Sequence, residues 1–498
     1  MGTSKHLSYT QKLCFGVGHA FNHMCLTSWY TYLLLYLQFV IQLPPSIAGI
    51  VLLTGLIANG LATPLTGYFT DRFKPCWNYG KRKTIHLIFS LASLITFPLI
   101  FVKFPGFNTL GYWSLLAYFL PLVIIWGISN AAVHVAHLSM IPELSPDQLD
   151  RDEITIFRYI FDVAADISLY IISWIILSAG VAAGTDEAVG SDDSWKFSYI
   201  VAIVTGMGAV MIAIFHLGTP EEIEQEQGSN SIEEDTAQDS NTARNSEGSL
   251  FSVNMNWSDW FREKHFFFIG LLLVLARMYF NLNQTFIPLF LQEGIKAEEE
   301  ILAVIPLTLQ VSGLIASCLV RLLLKVVNKK VGYMIATCFA YAGCIWLGYD
   351  SQEALQSGNV YILTVLIGIG SSLMLVLSVS LTSDLIGTNT ESGAFVFGAI
   401  TFVEKTLNGL FIVIVQTGHT FCEDCPTYYR EVIAHGISAI AILSLAVVLK
   451  LNPHTVGTRY SEMNTVQGRK ESVARKSSKS YGSMRKGFPI LERPTISS

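Results

Sequence analysis

The feature that most limits what this chain can become is a set of long runs without a single Asp, Glu, Lys or Arg. They are Leu13 to Ile41, Ser46 to Thr70, Phe104 to Pro142, Phe197 to Thr219 and Ala354 to Ser383. Each exceeds the roughly 18 residues that mark a helix able to cross about 30 Å of hydrocarbon. A soluble chain of 498 residues needs charge to cover its surface, yet only 14% of the residues are charged and 51% are apolar. Soluble proteins carry about 25% charge, so a string of soluble domains is excluded and a polytopic membrane protein is expected. The first run is too long for the apolar region of a cleaved signal peptide.

Read in order, the apolar runs predict an all-α membrane protein of twelve transmembrane helices, at approximately 13–41, 46–70, 84–102, 112–142, 154–182, 197–218, 265–292, 301–324, 331–349, 359–386, 394–419 and 431–450. Arg72, Lys74, Lys81, Arg82 and Lys83 lie between spans two and three, and Arg321, Lys325, Lys329 and Lys330 between spans eight and nine. The positive-inside rule places those loops, and with them both termini, in the cytosol. Between spans six and seven, residues 219–264 hold eleven acids and three basic residues among many Ser, Asn, Gln and Gly. Such a stretch has too little apolar surface to offset its ordering entropy and reads as a disordered acidic linker. The tail, 452–498, is basic and Ser-rich and reads as solvated. The expected organisation is a six-helix bundle over 1–218, the linker, a second bundle over 265–451, and the tail.

Ionisable side chains inside spans are costly and point to function. Span five carries Arg158, Asp162 and Asp166 at four-residue steps, on one helix face. Arg158 and Asp162 are placed to neutralise one another, which leaves Asp166 in need of another partner. Span seven has Arg277, followed by Asn281, Asn283 and Gln284; an arginine keeps its proton, so its expected task is to hold an anion or a carboxylate. Span eleven has Glu404 and Lys405, with Asn408 one turn on. Neighbours in a helix point about 100° apart, so these two are expected to seek partners on other helices. His19 and His23 in span one, and Asn130, His134 and His137 in span four, form a second polar set. Histidine titrates between the pH of the cytosol and that of an acidic organelle. The His-x3-His spacing is also that of metal ligands, but no carboxylate or cysteine cluster adjoins it in the sequence, so no metal is expected.

The eight cysteines form no dense framework. Cys422 and Cys425 fall in the last non-cytoplasmic loop, where a structural disulfide is expected. No nucleophile elbow, P-loop, zinc-protease helix or dinucleotide fingerprint is present. Neither catalysis, a cofactor nor a nucleic-acid partner is expected. The expected partners are a small-molecule substrate and the lipid bilayer.

The loop after span two reads Gly67-Tyr-Phe-Thr-Asp71-Arg72 and then Tyr79-Gly80-Lys81-Arg82-Lys83. It resembles the major facilitator signature Gly-x-x-x-Asp-Arg-x-Gly-Arg-Lys, widened by an insertion around Pro75-Cys76-Trp77. A weaker basic echo follows span eight, as expected of two six-helix halves. Gly67, Asp71, Arg72, Gly80 and Lys81 are thus candidate gating residues: the glycine for close helix contact, the aspartate for the N-terminal amides of a neighbouring helix, the cations as a clamp.

Phe15-Gly16-Val17-Gly18-His19, Pro64-Leu65-Thr66-Gly67, Met140-Ile141-Pro142-Glu143-Leu144, Arg158-Tyr159 and Ser392-Gly393-Ala394-Phe395 with Glu404-Lys405 resemble the glycoside-pentoside-hexuronide cation symporter branch of that superfamily. His137 to Leu144, Phe215 to Thr219 and Ala394-Phe395-Val396 after Asp384 to Gly387 resemble more closely a subgroup that imports cysteine into lysosomes and melanosomes. The resemblance implies alternating access around a site at mid-membrane. It also implies that the acids with which the sugar symporters hold sugar are replaced by Asn22 and His134, and their two sodium-binding acids by Asn59 and Thr63. Those losses argue against sodium–sugar symport. A site of cations, amides and imidazoles suits a small zwitterion, with Arg158, Arg277 or Lys405 for its carboxylate and Asp162 or Glu404 for its ammonium. Another polar or lysolipid-like solute and a non-transporting scaffold are the alternatives. In the tail, Tyr460 to Met463 and Tyr481 to Met484 have the tyrosine-x-x-apolar form of endolysosomal sorting signals, which would recruit sorting adaptors.

Overall fold

The computed structural model describes residues 7–72, 79–145, 148–181, 188–219, 257–386, 390–422 and 425–451. The linker between 220 and 256, and the tail from 452 with both tyrosine motifs, lie outside them. Backbone groups in hydrocarbon have no water to bond, so an apolar run must satisfy its own N–H and C=O groups as helix. The helices follow in order as α1 (Tyr9–Val17), α2 (Ala20–Leu35), α3 (Pro45–Arg72), α4 (Lys81–Ile100), α5 (Tyr112–Leu144), α6 (Gln148–Val181) and α7 (Ser194–Gly218). After the linker come α8 (Trp257–Trp260), α9 (Lys264–Glu293), α10 (Ile301–Val326), α11 (Lys329–Tyr349), α12 (Gln352–Ala354), α13 (Val360–Ile386), α14 (Thr390–His419), α15 (Tyr428–Glu431) and α16 (Ser438–Lys450).

Among the described residues, 11 helical stretches are long and apolar enough to cross a membrane. The twelfth crossing is the first span, which the sequence predicts as one helix and the structure breaks. α1 ends at Val17, α2 starts at Ala20, and a π-helical turn, Tyr36–Val40, completes the crossing. The break has a local cause, because the Gly18 carbonyl accepts from His86 Nε2 at 3.2 Å. Side chains such as Trp113, Leu217 and Val326 face outward and are highly exposed, the expected lipid-facing surface of such a bundle.

Within the first half, α3 and α5 approach closely. A Cβ on Gly127 would lie 2.6 Å from the Gly55 carbonyl oxygen, and one on Gly55 would lie 2.5 Å from the Trp29 ring. Trp29 in turn stacks on Trp126 with ring centroids 4.2 Å apart. Between the halves, α3 packs along α14 and α6 along α10. The result is the major facilitator fold, two six-helix halves around a polar centre.

Candidate substrate and coupling site

In the first half, four-residue spacing puts Arg158, Asp162 and Asp166 on the face of α6 that meets α2. Asp162 Oδ1 lies 2.7 Å from His19 Nδ1, and Asp166 Oδ1 lies 2.9 Å from His23 Nδ1. A carboxylate accepts, so His19 carries its hydrogen on Nδ1 and presents Nε2 as an acceptor. That nitrogen faces Arg158 Nη2 at 3.2 Å, His134 Nδ1 at 3.0 Å and Asn22 Nδ2 at 3.4 Å. Arg158 Nη2 is also 3.3 Å from His134 Nδ1. Without a hydrogen between His19 and His134, two lone pairs would oppose each other at 3.0 Å, so this contact is a proton position. The expected direct neutralisation of Arg158 by Asp162 is corrected: the imidazole of His19 stands between them. Arg158 Nε is buried without a hydrogen-bond partner in the protein, a donor that an anionic ligand would satisfy.

Asp166 finds the further partners its isolation demanded. Thr27 Oγ1 donates to Oδ1 at 2.5 Å, and Gln310 Nε2, from α10 in the other half, donates to Oδ2 at 2.5 Å. Asp162 and Asp166 therefore stand beside the His19 and His23 pair in space, where the sequence showed no adjoining carboxylate. Even so, no group of three or more His, Cys, Asp or Glu among the described residues is arranged to hold a metal.

In the second half, Glu404 and Lys405 diverge as their adjacency requires. Glu404 Oε1 accepts from Asn281 Nδ2 at 2.9 Å and Asn408 Nδ2 at 2.5 Å, and its Oε2 lies 3.9 Å from Arg277 Nη1. Lys405 Nζ points the other way and donates to Tyr30 Oη on α2 at 3.2 Å. Arg277 donates to Thr401 Oγ1 at 3.3 Å and is 30% exposed, whereas Glu404 is buried. The arginine is thus the cation in this cluster with a free face. Gln284 Nε2 crosses to Tyr170 Oη at 2.9 Å, a third polar bridge between the halves at this depth.

Other residues singled out in the sequence serve the scaffold. Asn22, Asn59 and Asn130 are buried and bond one another: Asn59 Nδ2 donates to Asn130 Oδ1 at 2.9 Å, and Asn130 Nδ2 to Asn22 Oδ1 at 3.0 Å. They bolt α2, α3 and α5 together beneath the charged cluster. Thr63 donates to the Asn59 carbonyl at 2.9 Å. His137 is fully buried and bonds the Phe15 carbonyl at 2.8 Å.

Of the candidate gating residues, Gly80 starts α4 at φ 94°, a left-handed position that suits glycine, and Lys81 opens the helix half-buried. The side chains of Asp71 and Arg72 lie outside the described residues. Gly67 departs from its expected role: nothing among the described residues comes within 4 Å of where its Cβ would lie. Helix contact between the halves falls instead nearer the opposite end, where a Cβ on Gly409 would meet Leu53 and one on Gly49 would meet Gln416.

That opposite end holds a latch the sequence reading missed. Lys196 pairs with Glu299 across the halves and with Asp193 at 2.9 Å, and Gln292 exchanges hydrogen bonds with the Val189 backbone. Gln38 and Gln416 are joined by a direct bond and through Tyr429. Burial pushes the Glu299 carboxyl up from its ordinary value, against the pull of Lys196. Only the residue types of 193, 196 and 299 were visible beforehand; nothing in their spacing pairs them. Cys422 and Cys425 are disulfide-bonded in the loop beyond α14 at this same end.

Residues 14–449 match the family model described as MFS/sugar transport protein. The chain is 34% identical to the horse protein called major facilitator superfamily domain-containing protein 12, over 89% of this chain and 94% of that protein. It is 33% identical to the human protein of that name, again over 89% and 94%. A sodium-dependent lysophosphatidylcholine symporter of Xenopus tropicalis is 26% identical over 32% of this chain and 30% of its own length. Among solved structures, the nucleoside transporter NupG superposes with a TM-score of 0.61 at 15% identity, over 89% of this chain and all of that one. An inward-open xylose transporter, XylE, superposes at 0.60 and 14% identity, over 89% and 95%.

Proposed function

We propose, from the premise that this chain belongs to the MFS/sugar transport protein family, that it imports cysteine from the cytosol into the lumen of lysosomes or melanosome-like organelles by alternating access. The observation that carries this reading is the charge arrangement at mid-depth. Two arginines and a lysine, Arg158, Arg277 and Lys405, stand with two carboxylates, Asp162 and Glu404, on helices from both halves. Arg158 and Arg277 each keep donor capacity, one through an unpartnered Nε and one through an exposed face. A small zwitterion uses both signs: its carboxylate takes the arginine donors, and its ammonium takes Asp162 or Glu404. A non-transporting scaffold would carry the desolvation cost of five such groups without a use for them. A lysolipid carrier needs room for a long acyl chain, which the zwitterion reading does not.

In this reading both termini, the linker and the tail are cytosolic, because the basic loops lie at their end of the molecule. The latch of Lys196 and Glu299 then closes the lumenal end while the site is reached from the cytosol. The tyrosine motifs of the tail address the protein to the organelle.

The test is organellar cystine in cells lacking the protein and in cells expressing it with Arg158→Ala, Arg277→Ala or Lys405→Ala, together with uptake of labelled cysteine by isolated organelles. The reading expects cystine to fall on loss of the protein and the variants to restore little of it. Normal cystine in all of these cells would remove it. Uptake of labelled lysophosphatidylcholine in place of cysteine would select the lipid carrier.

A further inference from the structure

Beyond the central cluster lies a line of imidazoles that the transport reading does not use. Tyr79 Oη is 2.9 Å from His216 Nδ1, His216 Nε2 is 3.1 Å from His86 Nδ1, and His86 Nε2 is 3.2 Å from the Gly18 carbonyl. A carbonyl only accepts, so in the neutral rings every hydrogen in this chain has one place. His86 bears its hydrogen on Nε2 and accepts on Nδ1 from His216, which in turn accepts on its own Nδ1 from the tyrosine. The chain runs in one direction, from the first turn before α4 to the break between α1 and α2.

Inward of His86, the His137 ring centre is 5.9 Å away, and the His19 ring is 5.7 Å beyond that. His137 donates Nε2–H to Phe15, and its Nδ1 is buried without a partner. A buried lone pair with nothing to accept from is costly; set between two histidines, it is a landing place for a proton.

We propose that Tyr79, His216, His86 and His137 form a proton relay joining the end of the molecule that carries Gly80 to the His19, His134 and Asp162 centre. It deepens the transport reading and rests on it, by giving the carrier a proton route separate from the substrate's path. Tyr79 passes its O–H hydrogen to His216 Nδ1 and is reprotonated from solution. His216 releases the hydrogen on Nε2 to His86 Nδ1. His86, now holding two hydrogens, gives up the one on Nε2 to His137 Nδ1 through a ring turn or a single water. His137 releases its Nδ1 hydrogen to the His19 and His134 pair as His19 passes the one on its Nδ1 to Asp162 Oδ1, 2.7 Å away, so the pair keeps its number of hydrogens. Each transfer breaks one O–H or N–H bond and makes one O–H or N–H bond, with no change of oxidation state, and the rings turn back to restore the starting tautomers.

The charged groups along the way suit conduction more than storage. Lys83 Nζ sits 4.7 Å from the Tyr79 ring centre and donates to the backbone oxygens of His216 and Thr219, and Ser90 Oγ lies 3.3 Å from His86 Nδ1. The cation repels a proton that would rest on the outer rings. At the inner end Asp162, held by His19 at 2.7 Å, attracts it, while Arg158, 3.2 and 3.3 Å from His19 Nε2 and His134 Nδ1, keeps it from resting there.

The test uses the full chain in proteoliposomes, as wild type, His86→Gln and His216→Gln. Glutamine keeps an N–H for the Gly18 or His86 acceptor but cannot relay a proton. With labelled cysteine as probe, accumulation driven by a pH difference is expected to fall about tenfold or more in both variants. Exchange of labelled for unlabelled cysteine at equal pH is expected to stay within about twofold, since the binding cluster is untouched. Unchanged accumulation in both variants, or equal loss of accumulation and exchange, overturns the relay. A second arm needs no substrate: after a pH jump, the histidine infrared bands of the central cluster should respond about tenfold more slowly in the variants. An equal response there overturns the relay even if wild type fails to carry cysteine, which by itself would overturn only the substrate assignment.

Discussion

The two halves place charge at the same depth in different chemical forms. In the first, Arg158, His19, His134 and Asp162 share hydrogens through imidazoles, with contacts of 2.7 to 3.3 Å that leave one proton position undecided between two rings. In the second, Glu404 is fixed by two amides and a distant arginine, and Lys405 by a phenol. Among the described residues, no histidine takes part in the bonds of that second cluster. In the proposed transport the first half changes its protonation and the second keeps its charges constant, the division of labour that coupling a proton to a zwitterion requires.

The sharpest way to break that contrast is to neutralise one carboxylate in each half. Asp162→Asn leaves an oxygen to accept from His19 Nδ1 but removes the negative charge beside that ring, and pH-driven transport is expected to fall about a hundredfold, the usual scale for truncating a buried charge pair. Glu404→Gln should lower substrate affinity by about tenfold, with driven accumulation and equal-pH exchange reduced alike. Parallel losses in the two variants, read by both transport assays, would erase the distinction between the halves. A smaller effect tests the amide bolt beneath the first cluster. Asn130→Ala removes the side-chain acceptor of Asn59 Nδ2 and the donor to Asn22 Oδ1, leaving the two amides their bonds to the Gly127 and Asn130 carbonyls, so stability should fall by about 1–3 kcal/mol, read as a lower melting midpoint, while the substrate affinity of folded protein is retained. The smallest effect belongs to the latch. A buried Glu299 binds its proton more tightly than an opened, hydrated one, and the state with the higher pKa gains as pH falls. Acidification from about pH 7 to about pH 5 should therefore favour closure of that end. Amide exchange over residues 188–193, corrected for intrinsic pH dependence, should slow accordingly, and Glu299→Gln should flatten the response.

How much of this was legible beforehand varies with the reach of the interaction. The stripe of Arg158, Asp162 and Asp166 and the divergence of Glu404 from Lys405 follow from helix geometry and were readable as such. The partner of each was not. Arg158 and Asp162 looked complementary because they lie one turn apart, yet an imidazole from α2 occupies the space between them. His86 and His216 stood in apolar runs without a polar neighbour in sequence, and only the packing of α4 on α7 makes them consecutive. Asn22 and Asn59 stand in sequence where the sugar symporters carry acids, and Asn130 stands with His134, yet the three spend side-chain hydrogen bonds on one another.

The sequence by itself determined the membrane, the helices and their order, because hydrocarbon thickness and the need to satisfy backbone groups act locally along the chain. It also marked ionisable groups that fall within the spans, Arg158, Asp162, Asp166, Arg277, Glu404 and Lys405 among them. The tertiary structure alone decided which of them meet and which end of the molecule is latched. Those depend on distances of about 3 Å between helices, and residues as far apart in the chain as Lys405 and Tyr30 reach that distance only once the two halves have closed on each other.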